Sequence, residues 1–290
     1  MTDSTVRLPD GRLLGYVEAG DPGGVPVVCC HGVPGGTSVY FSPDALHDGG
    51  TRLLAVARAG FGVSDPAPGH TLLDSVGDVF AFADSLGLSR FAVLGMSAGA
   101  PTALGCGFVD PDRVAVVGLA CGVGPVFDQP RFDGLLPPEW QVLLPIARVD
   151  TPGTIDLLRA VAQSAVEACA ADVEAQFEEM LATAGTADQA EMAASRAWVI
   201  DNLRSTYGQG PDTFVHEIMA SVGPWPFEPS DVRVPVHLWH GDSDEVAPVE
   251  VARWVADQVP RSTLTVHRGE GHFLSPTHHR DWLVAMTDWR

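Results

Sequence analysis

The chain contains no lysine: all 17 of its basic residues are arginine, set against 37 Asp and Glu for a formal net charge of −20. A field of that sign repels nucleic acid and anionic membrane surfaces, so neither is expected as a partner. Missing lysine together with heavy use of Ala, Gly, Val and Pro is what a high-GC coding sequence produces, and it carries no mechanistic weight. Long apolar runs are also missing. No segment reaches the length of a membrane span, and Met1-Thr2-Asp3-Ser4 does not open a basic segment followed by an apolar stretch, so a soluble cytoplasmic protein is expected. Cysteine is scarce and odd in number, at five, and the adjacent Cys29 and Cys30 would face opposite sides of a strand. That pattern excludes a disulfide framework and suits small core residues. No group of Cys, His and carboxylates has a metal-ligand spacing, so no metal is expected, and His278-His279 beside Arg280 reads as a solvated helix face. No internal repeat is visible.

What is present is a large apolar fraction, 46% of 290 residues, enough to bury a sizeable core. Short apolar runs bounded by Gly and Pro predict strands at 12–18, 25–30, 53–57, 91–94, 114–120, 234–240 and 263–267. Between them, 71–86 has apolar residues at three-and-four spacing and a stop at Gly87, the pattern of an amphipathic helix. A further helix is expected from Ala98, with Pro101 in its first turn, where a missing N–H costs little. Alternating strands and helices, with a continuously apolar run at 114–120, point to an α/β fold with a doubly wound, mostly parallel sheet. Ligands in such sheets sit at the carboxyl ends of the strands. Beyond Cys121 the alternation stops. Helical spacing predicts helices at 139–147, 152–171, 172–184, 188–207 and 212–222, and Pro-rich 223–229 then returns the chain to the sheet.

Chemistry-bearing residues fall just behind the predicted strands. Gly95-Met96-Ser97-Ala98-Gly99 follows the run at 91–94, as a strand ending in a sharp turn that exposes a serine hydroxyl would require, with glycine on both flanks for space. His31-Gly32-Val33-Pro34-Gly35-Gly36 follows the run at 25–30 and offers backbone N–H groups. Asp242 and Asp244 both lie beyond 234–240, and Gly269-Glu270-Gly271-His272 lies beyond 263–267. A serine needs a base to become nucleophilic at neutral pH, and an imidazole needs a carboxylate to hold its tautomer. His272 is preferred as base because glycines flank it in a loop, whereas His267 falls in a strand and His278 and His279 in the last helix.

Serine, acid and histidine in that order, each behind a strand, resemble the α/β-hydrolase family from about Leu13 to about Trp289. The resemblance implies a hydrolase core in two parts, 1–121 and 231–290, and an all-helical cap at 122–230 over the active-site mouth. It implies Ser97, Asp244 and His272 as catalytic triad, since Gly241, Asp244 and Pro248 match the family spacing around the acid, which leaves Asp242 a turn residue. Backbone N–H groups of Val33 and Ala98 would form the oxyanion hole, Pro34 having no N–H to give, with Gly35 an alternative in a different loop conformation, and His31 would brace the loop by hydrogen bonding. The turn at 57–64 resembles the family's Asp-x-Arg-Gly-x-Gly-x-Ser with Ala57 in place of the acid, and is read as structural. The first loop also resembles that of proline iminopeptidases, but Val33 and Met96 depart from their pattern and the activity is not carried over.

The expected function is cofactor-free hydrolysis of a carboxylic ester, thioester or lactone of a small, neutral, partly apolar molecule. Perhydrolase chemistry, amide or carbon–carbon cleavage, and a non-catalytic receptor on the same fold stand as alternatives. Residues 123–230 hold sixteen Asp and Glu against five Arg, so a negative pocket mouth is expected. An anionic substrate would need a buried arginine, for which Arg58, Arg131 and Arg204 are the candidates.

Overall fold

The computed structural model describes residues 4–38, 40–48 and 50–289. Eight strands form one sheet: β1 (Ser4–Arg7), β2 (Leu13–Gly20), β3 (Val25–Cys30), β4 (Thr51–Val56), β5 (Phe91–Met96), β6 (Val114–Ala120), β7 (Val236–Gly241) and β8 (Ser262–His267). Their order is β1-β2-β4-β3-β5-β6-β7-β8. Only the β1–β2 and β2–β4 pairs are antiparallel, so β2 alone runs against the other strands. This is the doubly wound, mostly parallel sheet that the alternation predicts.

Helices cover both faces. Helices α2 (Leu72–Ser85), α3 (Ala100–Val109) and α9 (Val249–Gln258) pack on one, burying Val76, Phe82, Leu104 and Val255 against the strands. On the other, α1 (Pro43–Asp48) and α10 (His279–Thr287) bury Leu46, Trp282, Leu283 and Met286. Coverage on both sides is why every residue of β6 is buried. Cys29 and Cys30 do face opposite ways, one into each core, and all five cysteines are free. Helix α2 begins where its chemistry says it should: Thr71 and Asp74 satisfy each other's backbone N–H groups in a capping box. The short β1, α1 and α9 are not among the expected elements; β1 is a mostly exposed edge strand with no apolar alternation.

Between β6 and β7 lie α4 (Pro138–Ala147), α5 (Thr151–Thr183), α6 (Gln189–Ala194), α7 (Arg196–Tyr207) and α8 (Pro211–Val222). Helix α5 is two helices meeting at Asp172, whose backbone leaves the helical region while its side chain caps the N–H groups of Glu174 and Ala175. The expected break between 171 and 172 is therefore real. The single helix expected at 188–207 is instead divided at Ser195. This helical insertion has apolar clusters of its own, one around Leu144, Leu158 and Val215, another around Phe177, Met192 and Leu203. Among the described residues no helix is long and apolar enough to cross a membrane.

Candidate active site

Ser97 sits at the carboxyl end of β5 with φ of +50°, a left-handed conformation that a non-glycine residue adopts at a cost of about 1–3 kcal/mol. Crowding around it explains the flanking glycines. A Cβ on Gly95 would lie 2.5 Å from the Gly99 carbonyl oxygen, and one on Gly99 would lie 2.6 Å from that of His31. The chain has room to turn here only because both side chains are absent.

His272 Nε2 lies 2.9 Å from Ser97 Oγ, and His272 Nδ1 lies 2.8 Å from Asp244 Oδ2. Residues 97, 244 and 272 thus come together as one hydrogen-bonded chain across the ends of β5, β7 and β8. Asp244 is fully sheltered from solvent and well supplied with donors. Its Oδ1 accepts the backbone N–H groups of Val246 and Ala247 at 2.9 and 2.8 Å. Its Oδ2 also lies 3.2 Å from His240 Nε2, which in turn is 2.7 Å from the Ala247 carbonyl oxygen. Burial disfavours the carboxylate, but the charge of His272 and the hydrogen bonds from His240 and His272 outweigh it and hold Asp244 well below the usual range. Asp242, by contrast, accepts the Gly269 N–H at 2.7 Å and ties two loops together, as a turn residue does.

Burial also disfavours the His272 imidazolium, yet the Asp244 carboxylate, with help from the charge of Asp188, raises its pKa above the ordinary 6.5. Asp188 was not legible as a site residue, since it reads as a helix start. It does precede α6, but its side chain caps nothing there. Buried at 3% exposure, its Oδ1 instead accepts the Phe273 N–H at 2.6 Å, anchoring the loop that carries His272. His240 was missed for a similar reason: inside a strand it carries no motif.

Val33 borders the pocket in front of Ser97. The N–H of Ala98 belongs to the first turn of the helix behind the serine, where backbone donors have no intrahelical acceptor. His31 is buried and its pKa lies well below the ordinary imidazole value, by desolvation first and by the charge of Arg58 second. Held neutral, it accepts the Arg58 backbone N–H through Nε2 at 3.1 Å, and Nδ1 lies 2.7 Å from the Gly32 carbonyl oxygen.

The turn at 57–64 does more than reverse the chain. Arg58 is 4% exposed; its guanidinium pairs with Glu217 of α8 and donates to the carbonyl oxygens of His31 at 2.6 Å and Ala98 at 3.2 Å. One buried arginine therefore ties the insertion to both segments flanking the serine. Occupied in this way, it offers nothing to an anionic substrate. Arg131 lies over the Trp254 ring and Arg204 pairs with Asp201 on the surface, so none of the three candidate arginines lines the pocket.

That pocket is a cavity of about 140 Å³ with Ser97 and His272 in its wall. Met180, Trp198 and Val199 of the insertion close it from one side, while Met96, Phe273 and Leu274 come from the sheet ends. Among the described lining residues there is no Asp, Glu or Arg. Trp198 also donates from Nε1 to the Ser38 carbonyl oxygen at 2.9 Å, pinning α7 to the loop after β3.

His278 and His279 do not form a solvated face. His279 is fully buried against Tyr40, Phe41 and Trp282, and burial with the neighbouring His278 charge lowers its pKa to about 4. His278 stacks on His267 and lies 2.7 Å from Glu270 Oε1. His267, Glu270 and His278 thereby bring one donor atom apiece within 4.8 Å of one another, a grouping that spacing in the sequence hid. Cys121, Asp244 and His272 form a second such group, but the last two are engaged with each other, and burial followed by the Asp244 charge keeps the Cys121 thiol protonated.

A strained serine behind a parallel strand, hydrogen-bonded to a histidine and a buried aspartate at the sheet's carboxyl edge, defines a class of enzyme fold. The alpha/beta hydrolase fold family model matches residues 25–278, and the chain belongs to that family. A bromoperoxidase from Bacillus anthracis superposes with a TM-score of 0.73 at 22% identity, covering 99% of both chains. An esterase from Rhodococcus sp. ECU1013 superposes at 0.69 and 20% identity, covering 99% of this chain and 100% of that one. At these identities the likeness establishes the fold. A proline iminopeptidase from Neisseria gonorrhoeae is 34% identical over 107 residues, covering 34% of this chain and 33% of its own length. The chain thus spans about a third of the length of the curated relatives it matches.

Proposed function

We propose that the protein is a cytoplasmic serine hydrolase cleaving an ester, thioester or lactone bond in a neutral, partly apolar small molecule. The observation that carries this reading is the Ser97–His272–Asp244 hydrogen-bond chain in the wall of an apolar pocket without charged side chains. Ser97 Oγ attacks the substrate carbonyl carbon while His272 Nε2 takes its proton, and Asp244 stabilises the imidazolium. Negative charge on the carbonyl oxygen is received by the N–H groups of Val33 and Ala98. His272 then gives that proton to the departing alkoxide oxygen or thiolate sulfur as the acyl–oxygen or acyl–sulfur bond breaks, leaving a neutral alcohol or thiol. Water, deprotonated by the same histidine, attacks the acyl-enzyme and releases the acid. The residues themselves supply nucleophile, base and electrostatic stabilisation, so this sequence calls for no added cofactor. The insertion at 122–230 acts as a cap that shapes the pocket and shields the reacting groups from bulk solvent, while still admitting the water that deacylates the enzyme.

Aminopeptidase activity is a weaker reading. A free substrate amine needs a carboxylate to bind it, and the described pocket wall has none. Free cysteines throughout support a reducing compartment. The test is covalent labelling of Ser97 by a fluorophosphonate, followed by a screen of esters, thioesters, lactones and aminoacyl amides. Absence of labelling in the folded protein would remove this reading and leave the receptor alternative.

A further inference from the structure

The pocket continues well below the nucleophile. Besides the residues around the triad, it is lined by Cys29 of β3 and by Leu53 and Ala55 of β4, which face Phe41 and Trp282 on the helical side. Strand register gives the depth. Ala55 pairs with Cys29 and Leu53 with Val27, and Val27 pairs with Ala92 of β5. Leu53 therefore sits level with Ala92, five residues before Ser97, which at about 3.3 Å per residue is roughly 16 Å down the strand direction.

This descent runs along one face of the sheet, between the strands and the side chains of Phe41, just before α1, and Trp282 of α10. Small side chains open it: Cys29 and Ala55 stand where larger residues would touch Phe41 and Trp282. Leu53, 1% exposed, stands at its lower end, and the equally buried Trp282 forms part of its helical wall. No charged side chain enters anywhere along it among the described lining residues. Cavities of roughly 150 Å³ with apolar walls stay dry and take apolar guests.

We infer that this channel is a binding subsite for an unbranched aliphatic chain on the substrate, an inference that rests on Ser97 being the nucleophile. An extended chain advances about 1.25 Å per carbon, given bonds of about 1.5 Å at tetrahedral angles. Allowing the first few ångströms for the reacting carbonyl, the channel accommodates about eight to ten carbons. Each methylene moved from water into it should raise kcat/KM up to about fourfold until the channel is full.

The experiment measures kcat/KM for p-nitrophenyl esters of straight-chain acids from acetyl to tetradecanoyl, and for acetates of straight-chain alcohols of the same lengths. A steep rise in one series that levels off near eight to ten carbons is expected. In Ala55→Leu the ratio of decanoyl to acetyl, or of decyl to ethyl, should fall at least tenfold. In Leu53→Ala the levelling point should move to longer chains, which guards against reading a misfolded variant as a blocked channel. Flat dependence in both series, with acetyl ester still cleaved through Ser97, overturns the channel and leaves the hydrolase standing. If no ester is cleaved, calorimetric titration with 1-octanol decides: saturable binding weakened in Ala55→Leu supports the channel, and no binding overturns it.

Discussion

The nucleophile elbow and the helical insertion reach the same pocket by different means. At the elbow, neighbours in sequence do the work: β5, Ser97 and α3 are continuous, and Gly95 and Gly99 leave the space that Ser97's +50° φ demands. In the insertion, single residues do it from a distance. Asp188 reaches the Phe273 N–H from the turn before α6, Glu217 reaches Arg58 and Trp198 reaches the Ser38 carbonyl from helices, and none of these stretches carries a motif. A local constraint leaves a pattern in the sequence, whereas a lone long-range contact leaves only one residue of an ordinary type. Chemistry should therefore be lost at the elbow, while positioning and tuning should be lost in the insertion.

The largest effect belongs to the elbow. Ser97→Ala should abolish fluorophosphonate labelling and lower turnover by roughly 10⁴ to 10⁶. Undiminished labelling of the variant would show that another nucleophile is at work. Next comes the acid: Asp244→Asn should cost roughly 10⁴ in kcat by favouring the wrong imidazole tautomer, against at most about tenfold for Asp242→Asn. Reversed costs would move the acid to the neighbouring aspartate.

In the insertion the expected losses are in stability first. Glu217→Ala leaves the Arg58 guanidinium buried without its partner, and should cost about 3–5 kcal/mol in denaturant unfolding. Asp201→Ala removes an exposed pair on the same insertion and should cost under about 1 kcal/mol. Equal costs would mean that the buried pair does not hold the insertion to the core.

A smaller effect is expected in the pH profile. With neutral His272 as the proposed base and its pKa raised, kcat/KM should fall as pH drops through a midpoint above 6.5. Asp188→Asn keeps an acceptor for the Phe273 N–H but removes a charge that favours the imidazolium, so this acid limb should move to lower pH. A limb that stays in place would assign Asp188 a purely structural role. The smallest effect concerns substrate charge. Of a matched ester pair differing by one carboxylate, the neutral member should be preferred, and any part of that preference due to surface charge should shrink as salt screens the field. Preference for the anion would contradict both the acidic insertion and the engagement of Arg58.

Much of the fold was legible because its signals are local and repeated. Apolar runs at 25–30 and 114–120 coincide with β3 and β6, and Thr71 and Gly87 bracket α2. Asp172 marked a true break because an aspartate can cap the helix that follows it. Ser195 gave no comparable sign, and the helical spacing ran through it unbroken. At the site, residues 97, 244 and 272 converge as their spacing behind three strands implies. The reach of Arg58 to Glu217 is not legible, because a turn sequence says nothing about where a long side chain ends.

By itself the sequence determined the alternation of strands and helices, the place of the serine, and the two loops that bring acid and base to it. Those features follow from hydrophobic period and from glycine where no side chain fits, both of which act between near neighbours. Only the tertiary structure brought His240 to the Asp244 carboxylate and Asp188 to the loop of His272, engaged Arg58 with Glu217, and set small residues of β3 and β4 along the pocket below Ser97. Apart from His240, only four residues from Asp244, these depend on contacts between segments tens to more than a hundred residues apart, whose meeting is set by the packing of the whole sheet and its helices rather than by any stretch of chain alone.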